Sequence, residues 1–242
     1  MVIRKNSYEY RSGGTTYRGT LISGERPPSA VVVLLPDWRG QSSLSYDHAA
    51  FLVAEGCVVI IADLYGNGFS PTDPNQVGEM VQNLIEHRDR GVAALAACFA
   101  ALDEHAEHIQ PGLPRFCLGY SAGAMIALDY GRSGAHLAGI MVASGLLKTA
   151  APGVSTRLAA PLLIMQGTQD QVSPMAVIQA VIAEMDEAGN DFRVELYGQA
   201  HHAFDNPDAG TDPMARLVYS PTAAARSRRA IAEFITEQTQ SA

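Results

Sequence analysis

Gly-Tyr-Ser-Ala-Gly, residues 119–123, has the form G-x-S-x-G and lies between an apolar run, 115–118, and a helix-like run, 124–130. A serine on a tight turn from a strand to a helix points its hydroxyl group outward, as a nucleophile requires. The glycines two residues before and two residues after it let the backbone bend without a steric clash. The stretch therefore predicts that Ser121 is a nucleophile.

Apolar runs and helical patterns alternate along the rest of the chain. Such alternation predicts an α/β fold in which a mostly parallel central sheet carries helices on both faces. The predicted strands are residues 30–35, 57–62, 115–118, 137–143, 161–166 and 192–197, after an antiparallel hairpin formed by 7–11 and 15–23. The predicted helices are residues 44–55, 77–102, 124–130, 174–188 and 222–238.

The composition limits the classes of protein to which the chain can belong. Its 242 residues, 47% of them hydrophobic, contain no linker-like tract, repeat or low-complexity segment, so we expect one domain over residues 1–242. The net charge is −8, from 17 Lys and Arg against 25 Asp and Glu. Without a long basic cluster, we expect no binding to nucleic acid or to anionic membranes.

Several features predict a cytoplasmic protein. Residues 1–10 lack the apolar core of a secretory signal, and no apolar run reaches the roughly 18 residues of a membrane-spanning helix. Cys57, Cys98 and Cys117 each lie in an apolar run, as buried free thiols do in a reducing compartment. The cysteines do not have the spacing of metal ligands, so we expect neither a metal nor another cofactor.

Polar residues follow two later strands in the order that an α/β-hydrolase requires, which is Ser, Asp, His. Asp170 follows the strand 161–166, and both His201 and His202 follow the strand 192–197. A histidine would accept the proton of the serine through one ring nitrogen, while Asp170 would hold the other ring N–H and stabilise the imidazolium. Spacing does not choose between the two histidines.

Each of these residues also has a structural interpretation. G-x-S-x-G occurs by chance, Asp170 could cap the helix that begins near Pro174, and both histidines could lie on the surface. The coincidence of three residue types, in order and each after its own strand, favours catalysis. An oxyanion pocket would then take one donor from the backbone N–H of Ala122 and another from the loop 36–40.

With these residues in view, the chain resembles the dienelactone hydrolase family (carboxymethylenebutenolidase-like α/β-hydrolases) from about residue 17 to residue 234. The shared motifs are the turn at 119–123, Asp-Leu-Tyr-Gly at 63–66, and His-Ala-Phe at 202–204 followed by Asn-Pro at 206–207. The resemblance implies that His202 is the base, because the family's base directly precedes a small residue and Phe. It also implies that the second oxyanion donor is the N–H of Trp38.

Three departures from the family pattern bear on the chemistry. The family usually has Cys where this chain has Ser121, so the resemblance implies a serine esterase, unless the serine is an engineered replacement of Cys. Asp37 stands where dienelactone hydrolase has a Glu that engages the resting thiol. In dienelactone hydrolase, arginines hold the carboxylate of the substrate, and the corresponding residues of this chain are Asn206 and Gln76. Without these arginines, dienelactone itself is a poor candidate substrate. Asp37 and Asn206 are nevertheless candidate pocket residues.

Little of the chain is available to cover the predicted site. Only residues 144–160 occupy the place where many relatives insert a lid, so we expect an open site without a large lid domain. Trp38, Tyr65 and Phe204 would border the substrate pocket, or they would be ordinary packing residues. Arg88 interrupts an apolar helical stripe, and it would either substitute for the missing carboxylate clamp or lay its stem on the core.

The sequence therefore predicts an enzyme that hydrolyses a small ester or lactone through an acyl intermediate on Ser121. The same groups would serve an acyltransferase or a cyclase, which passes the acyl group to an alcohol or amine or closes a ring. A third class, a non-catalytic ligand-binding protein, would be expected to lack a member of the triad, and none is missing. We expect a small-molecule partner and a monomer or homodimer.

Overall fold

The computed structural model of the chain describes residues 2–105, 109–149, 151 and 153–240, except for the side chains of Pro74 and His105. The strands of the described residues are β1 (Arg4–Ser12), β2 (Thr15–Ser23), β3 (Ala30–Leu35), β4 (Cys57–Ile61), β5 (Arg115–Tyr120), β6 (Gly139–Ala143), β7 (Leu162–Gly167) and β8 (Phe192–Tyr197). Their α-helices are α1 (Ser43–Ala54), α2 (Val77–Glu86), α3 (Arg88–Ala100), α4 (Ala122–Arg132), α5 (Met175–Glu187) and α6 (Pro221–Gln240).

These eight strands form one sheet in the order β1-β2-β4-β3-β5-β6-β7-β8. β1 and β2 form an antiparallel hairpin, and β2 runs antiparallel to β4, whereas every other neighbouring pair is parallel. The predicted fold, an α/β-hydrolase with a mostly parallel sheet and an N-terminal hairpin, is therefore confirmed. Between β6 and β7 the described residues form neither helix nor strand, as expected without a large lid domain.

The central strands are apolar along their whole length because both faces of the sheet are covered. In β3, Val31 and Val33 belong to one hydrophobic cluster, and Val32 and Leu34 belong to the cluster on the opposite face. Helices α3, α4 and α5 pack on the first face, and α1 and α6 pack on the second. Within the described ranges, no helix combines the length and the apolar character needed to span a bilayer.

The single helix expected over residues 77–102 is instead two helices that meet at His87. The backbone of His87, with φ −119° and ψ 36°, leaves the helical region, so α2 ends at Glu86 and α3 begins at Arg88. The apolar spacing continues across this break, and for that reason periodicity does not reveal it. The break places Arg88 at the start of a helix, where its side chain reaches Asp129 of α4.

We predict that no cysteine of the native protein reacts with an aromatic disulfide reagent at mildly alkaline pH. Cys57, Cys98 and Cys117 are free and buried. Burial raises the pKa of each thiol, that of Cys57 to about 12, so reactive thiolate is scarce. The absorbance of the released thiol should show no fast reaction in buffer and three thiols per chain in urea. A thiol that reacts in buffer as fast as in urea would contradict this burial.

Candidate active site

Ser121 lies on the turn between β5 and α4, with a backbone φ of 49°. A serine rarely adopts a positive φ, so the surrounding structure must hold this turn. The glycines on either side leave the room that it needs. A Cβ atom on Gly119 would lie 2.6 Å from the Cα of Ala124, and one on Gly123 would lie 2.5 Å from the carbonyl oxygen of Leu35. The local sequence thus presents the Ser121 hydroxyl at the carboxyl end of the sheet.

Ser121, His202 and Asp170 form a continuous line of side-chain contacts. The Oγ of Ser121 lies 3.0 Å from Nε2 of His202, and Nδ1 of His202 lies 2.8 Å from Oδ2 of Asp170. His202 and Asp170 are buried, whereas Ser121 is partly exposed. With its proton on Nδ1, the imidazole donates to Asp170 and accepts from the serine hydroxyl. This arrangement can move the serine proton to the ring and stabilise the resulting positive charge.

The loop after β7 and a buried glutamine hold Asp170. Its Oδ1 accepts hydrogen bonds from the backbone N–H groups of Val172, at 2.7 Å, and Ser173, at 2.9 Å. Its Oδ2 accepts a 2.5 Å hydrogen bond from Nε2 of Gln166, beside the contact with His202. The start of α5 has no side-chain cap, so Asp170 does not cap that helix. The carboxylate faces the imidazole instead.

The loop after β8 presents His202, rather than its neighbour His201, to the serine. Ala203 has a φ of 59°, and its N–H donates a 2.7 Å hydrogen bond to Oγ of Ser144, which follows β6. The carbonyl oxygen of His202 accepts a 3.1 Å hydrogen bond from the N–H of Val218. The backbone of this loop is therefore held on both sides of the imidazole.

The two predicted oxyanion donors lie on adjacent segments. Ala122 is the first residue of α4, and Trp38 lies in the loop after β3. The close approach of the Leu35 carbonyl to Gly123 brings this loop beside the first turn of α4. The carbonyl oxygen of Trp38 accepts a 2.6 Å hydrogen bond from the hydroxyl of Tyr65, and both aromatic residues are partly exposed. Trp38 and Tyr65 thus lie together at the end of the sheet that carries the serine.

The charged residues predicted for the pocket are already paired within the protein. Oδ2 of Asp37 accepts hydrogen bonds from Nε of Arg39, at 3.0 Å, and from Nη2 of the same residue, at 2.7 Å. Nε of Arg88 donates a 2.6 Å hydrogen bond to Oδ2 of Asp129, and its Nη1 donates a 3.2 Å hydrogen bond to the carbonyl oxygen of Lys148. Neither Asp37 nor Arg88 offers an uncompensated charge to a ligand.

Two further residues predicted for the pocket have structural roles. Phe204 is fully buried, and its ring packs edge-on against Tyr197 with the ring centroids 5.3 Å apart. Phe204 is therefore a core residue on the face that α1 and α6 cover, which corresponds to the packing alternative rather than to a border of the pocket. The side chain of Asn206 accepts a 3.0 Å hydrogen bond from the N–H of Asp208 and caps a short 3₁₀ helix.

Sequence reasoning missed several buried polar side chains next to the site. Gln166 contacts Asp170 and also accepts a 2.9 Å hydrogen bond from the N–H of Gly145. Nε2 of His48 lies 3.1 Å from Oδ2 of Asp205, at ion-pair distance but without the alignment of a hydrogen bond. A glutamine in an apolar strand is a usable signal, because a buried amide requires partners. No such signal distinguishes His48. In the part of the chain that is described, no three metal-binding side chains form a group.

Similarity to known proteins extends over nearly the whole chain. The model of the dienelactone hydrolase family matches residues 17–239. The solved structure of m3DLH is 27% identical with a TM-score of 0.89, covering 98% of this chain and 99% of that chain. Sequences of curated proteins give no match.

Two solved structures below 25% identity show the fold alone. A dienelactone hydrolase-like promiscuous phosphotriesterase from metagenomic libraries is 24% identical with a TM-score of 0.89, covering 98% of this chain and 99% of that chain. An esterase of Pyrococcus furiosus is 15% identical with a TM-score of 0.67, covering 98% of this chain and 93% of that chain. The whole described fold, rather than one part of it, is therefore shared with these structures.

We predict that Gly123→Ala lowers the free energy of unfolding by about 1–3 kcal/mol, because the added methyl group meets the backbone carbonyl of Leu35 and one of them must shift. Urea unfolding followed by circular dichroism measures the change. Gly78→Ala is the matched control, since Gly78 is exposed in α2 and its added Cβ has no neighbour within 4 Å. We expect the control to match the wild type or gain up to about 1 kcal/mol. Equal stability of the two variants would contradict the proposed crowding.

Proposed function

The chain belongs to the dienelactone hydrolase family, and we propose that this hydrolytic enzyme cleaves a small ester or lactone through an acyl intermediate on Ser121. One observation carries the proposal. A partly exposed serine hydroxyl lies 3.0 Å from a buried imidazole, and the other ring nitrogen lies 2.8 Å from a buried carboxylate. Nucleophile, base and orienting acid are each within hydrogen-bonding distance of the next, as acyl transfer to serine requires.

In the proposed first half-reaction, Oγ of Ser121 attacks the carbonyl carbon of the ester while Nε2 of His202 takes the hydroxyl proton. The imidazolium that forms is stabilised by the Asp170 carboxylate at Nδ1. Collapse of the tetrahedral intermediate breaks the bond to the alkoxy oxygen, which takes the proton from Nε2. The alcohol leaves, or stays attached when the substrate is a lactone, and the acyl group remains on Ser121.

In the second half-reaction a water molecule takes the place of the alcohol. His202 removes a proton from the water, the oxygen attacks the acyl carbon, and the proton returns to Oγ as the carboxylic acid departs. In both steps the carbonyl oxygen becomes negative. The N–H groups of Ala122 and Trp38 are proposed to donate to that oxygen, and Ala122 adds the positive end of the α4 dipole because it begins the helix.

The distribution of charge around the site supports an uncharged substrate. Asp37 is paired with Arg39, and Arg88 is paired with Asp129, so neither arginine is free to hold a carboxylate. Asn206 caps a turn with its side chain. The net charge of −8 adds a general repulsion of anions. A neutral ester or lactone fits these conditions better than a carboxylate-bearing lactone.

We predict that Ser121→Ala lowers kcat for a p-nitrophenyl ester by about 10⁶-fold and that Asp170→Asn lowers it by about 10⁴-fold, since the amide favours the wrong tautomer of His202. A fluorophosphonate should label the wild type at Ser121, and mass spectrometry of the labelled peptide would identify the residue. Urea midpoints near that of the wild type would establish that the variants fold. Undiminished turnover by the Ser121→Ala variant would contradict the proposal.

We also predict that a lactone carrying a primary amide has a kcat/KM about tenfold or more above that of the same lactone carrying a carboxylate, because the anion would lose hydration without gaining a cationic partner. The two groups have nearly the same shape, so the ratio isolates charge. Initial rates at neutral pH and two salt concentrations measure it. A ratio below one would mean that the site does provide a cation for the substrate.

A further inference from the structure

The motif Asp-Leu-Tyr-Gly at residues 63–66 has no part in the chemistry proposed above, yet its carboxylate organises a loop beside the site. Asp63 lies two residues after the end of β4 and is buried. Its Oδ1 accepts hydrogen bonds from the N–H groups of Tyr65, at 3.0 Å, and Gly66, at 2.9 Å. Its Oδ2 accepts from the N–H groups of Gly68, at 2.8 Å, and Arg18, at 2.9 Å. Four backbone donors on one carboxylate fix the path of this loop.

The loop directs one side chain towards the segment that carries Trp38. The Tyr65 hydroxyl donates a 2.6 Å hydrogen bond to the carbonyl oxygen of Trp38, and the Tyr65 ring packs edge-on against Phe69 with centroids 5.9 Å apart. Burial, with a smaller effect from the Asp37 carboxylate, raises the pKa of Tyr65. The hydroxyl therefore keeps its proton at every pH used for assays and remains a donor.

We propose that Tyr65 is a positioning residue for the oxyanion pocket, holding the Trp38 backbone so that its N–H stays directed at the substrate oxygen. This inference rests on the function proposed above. The N–H and the carbonyl of Trp38 lie in successive peptide planes that share one Cα atom, so a contact that restrains the carbonyl limits the directions open to the N–H. Preorganised donors of this kind are effective because they need no reorientation when negative charge develops.

A direct role for the Tyr65 hydroxyl in binding the substrate fits the geometry less well. A phenol has one proton to donate, and at 2.6 Å that proton is committed to the carbonyl oxygen of Trp38. Donation to a substrate oxygen would require the hydrogen bond to Trp38 to break. The two roles also differ kinetically: loss of a substrate contact raises KM, whereas loss of a transition-state contact lowers kcat.

The test is Tyr65→Phe, which removes the hydroxyl and keeps the ring. With a p-nitrophenyl ester we expect kcat to fall about threefold to tenfold while KM stays within about twofold, as loss of one hydrogen bond implies. Affinity for a boronic acid, which forms a tetrahedral adduct with the serine, should weaken by the same factor as kcat. The melting temperature should remain close to that of the wild type.

Tyr46→Phe is the matched control, because Tyr46 is also half-buried and its hydroxyl lies 3.3 Å from Oγ1 of Thr20, a side chain of β2. We expect its kcat and its boronic acid affinity to equal those of the wild type. An unchanged kcat in Tyr65→Phe would overturn the inference. A higher KM at constant kcat would also overturn it, and so would equal losses of kcat in Tyr65→Phe and Tyr46→Phe.

Failure of this inference can be distinguished from failure of the proposed function. If the wild type hydrolyses the ester and a fluorophosphonate labels Ser121, the proposed function holds, and the Tyr65→Phe result alone decides the role of Tyr65. If the wild type neither hydrolyses esters nor is labelled, the proposed function fails and the inference fails with it.

Discussion

The backbone of Ser121, with its positive φ, is the constraint on which the rest of the site depends. A non-glycine residue in this region costs of the order of 1–3 kcal/mol, so the turn persists only where its surroundings favour it. Here β5 lies in the middle of the sheet, and α4 is buried along most of its length. The same packing presses the first turn of α4 against the end of β3 at Gly123. The core thus sets both the direction of the serine hydroxyl and the position of the loop that carries Trp38.

The parallel strands place Ser121, Asp170 and His202 at the same edge of the sheet. The strand order, however, puts β6 and β7 between the strand before Ser121 and the strand before His202. Ser121 follows β5 and His202 follows β8, so the loop of the base has to reach past the ends of β6 and β7. Oγ of Ser144, which follows β6, accepts a hydrogen bond from the N–H of Ala203 and so supports the loop of His202 between β5 and β8. Gln166 near the end of β7 supports Asp170 in the same way. Polar side chains at the ends of the intervening strands therefore connect the three residues of the site.

Much of this architecture could be predicted from the sequence, because strands covered on both faces are apolar throughout and the turn at Ser121 requires its glycines. The break in the helix at His87 could not be predicted, because the apolar residues keep the same helical spacing on both sides of the break. The sequence also left open whether Arg88 and Phe204 line the pocket or have structural roles. Whether an arginine is paired, or an aromatic ring lies in the core, depends on residues distant in the chain, such as Asp129 and Tyr197.

Asp63 and Asp170 show how the same local hydrogen-bond arrangement leads to different roles. Each follows a strand of the sheet, and each accepts two backbone N–H groups through Oδ1. On Asp63, Oδ2 also accepts backbone donors, so the whole carboxylate serves to fold a loop. On Asp170, Oδ2 accepts side-chain donors, from Gln166 and His202. The backbone thus anchors Asp170 through one oxygen and leaves the other to orient an imidazole. This division depends on β7 lying beside β8, which the local sequence around Asp170 does not encode.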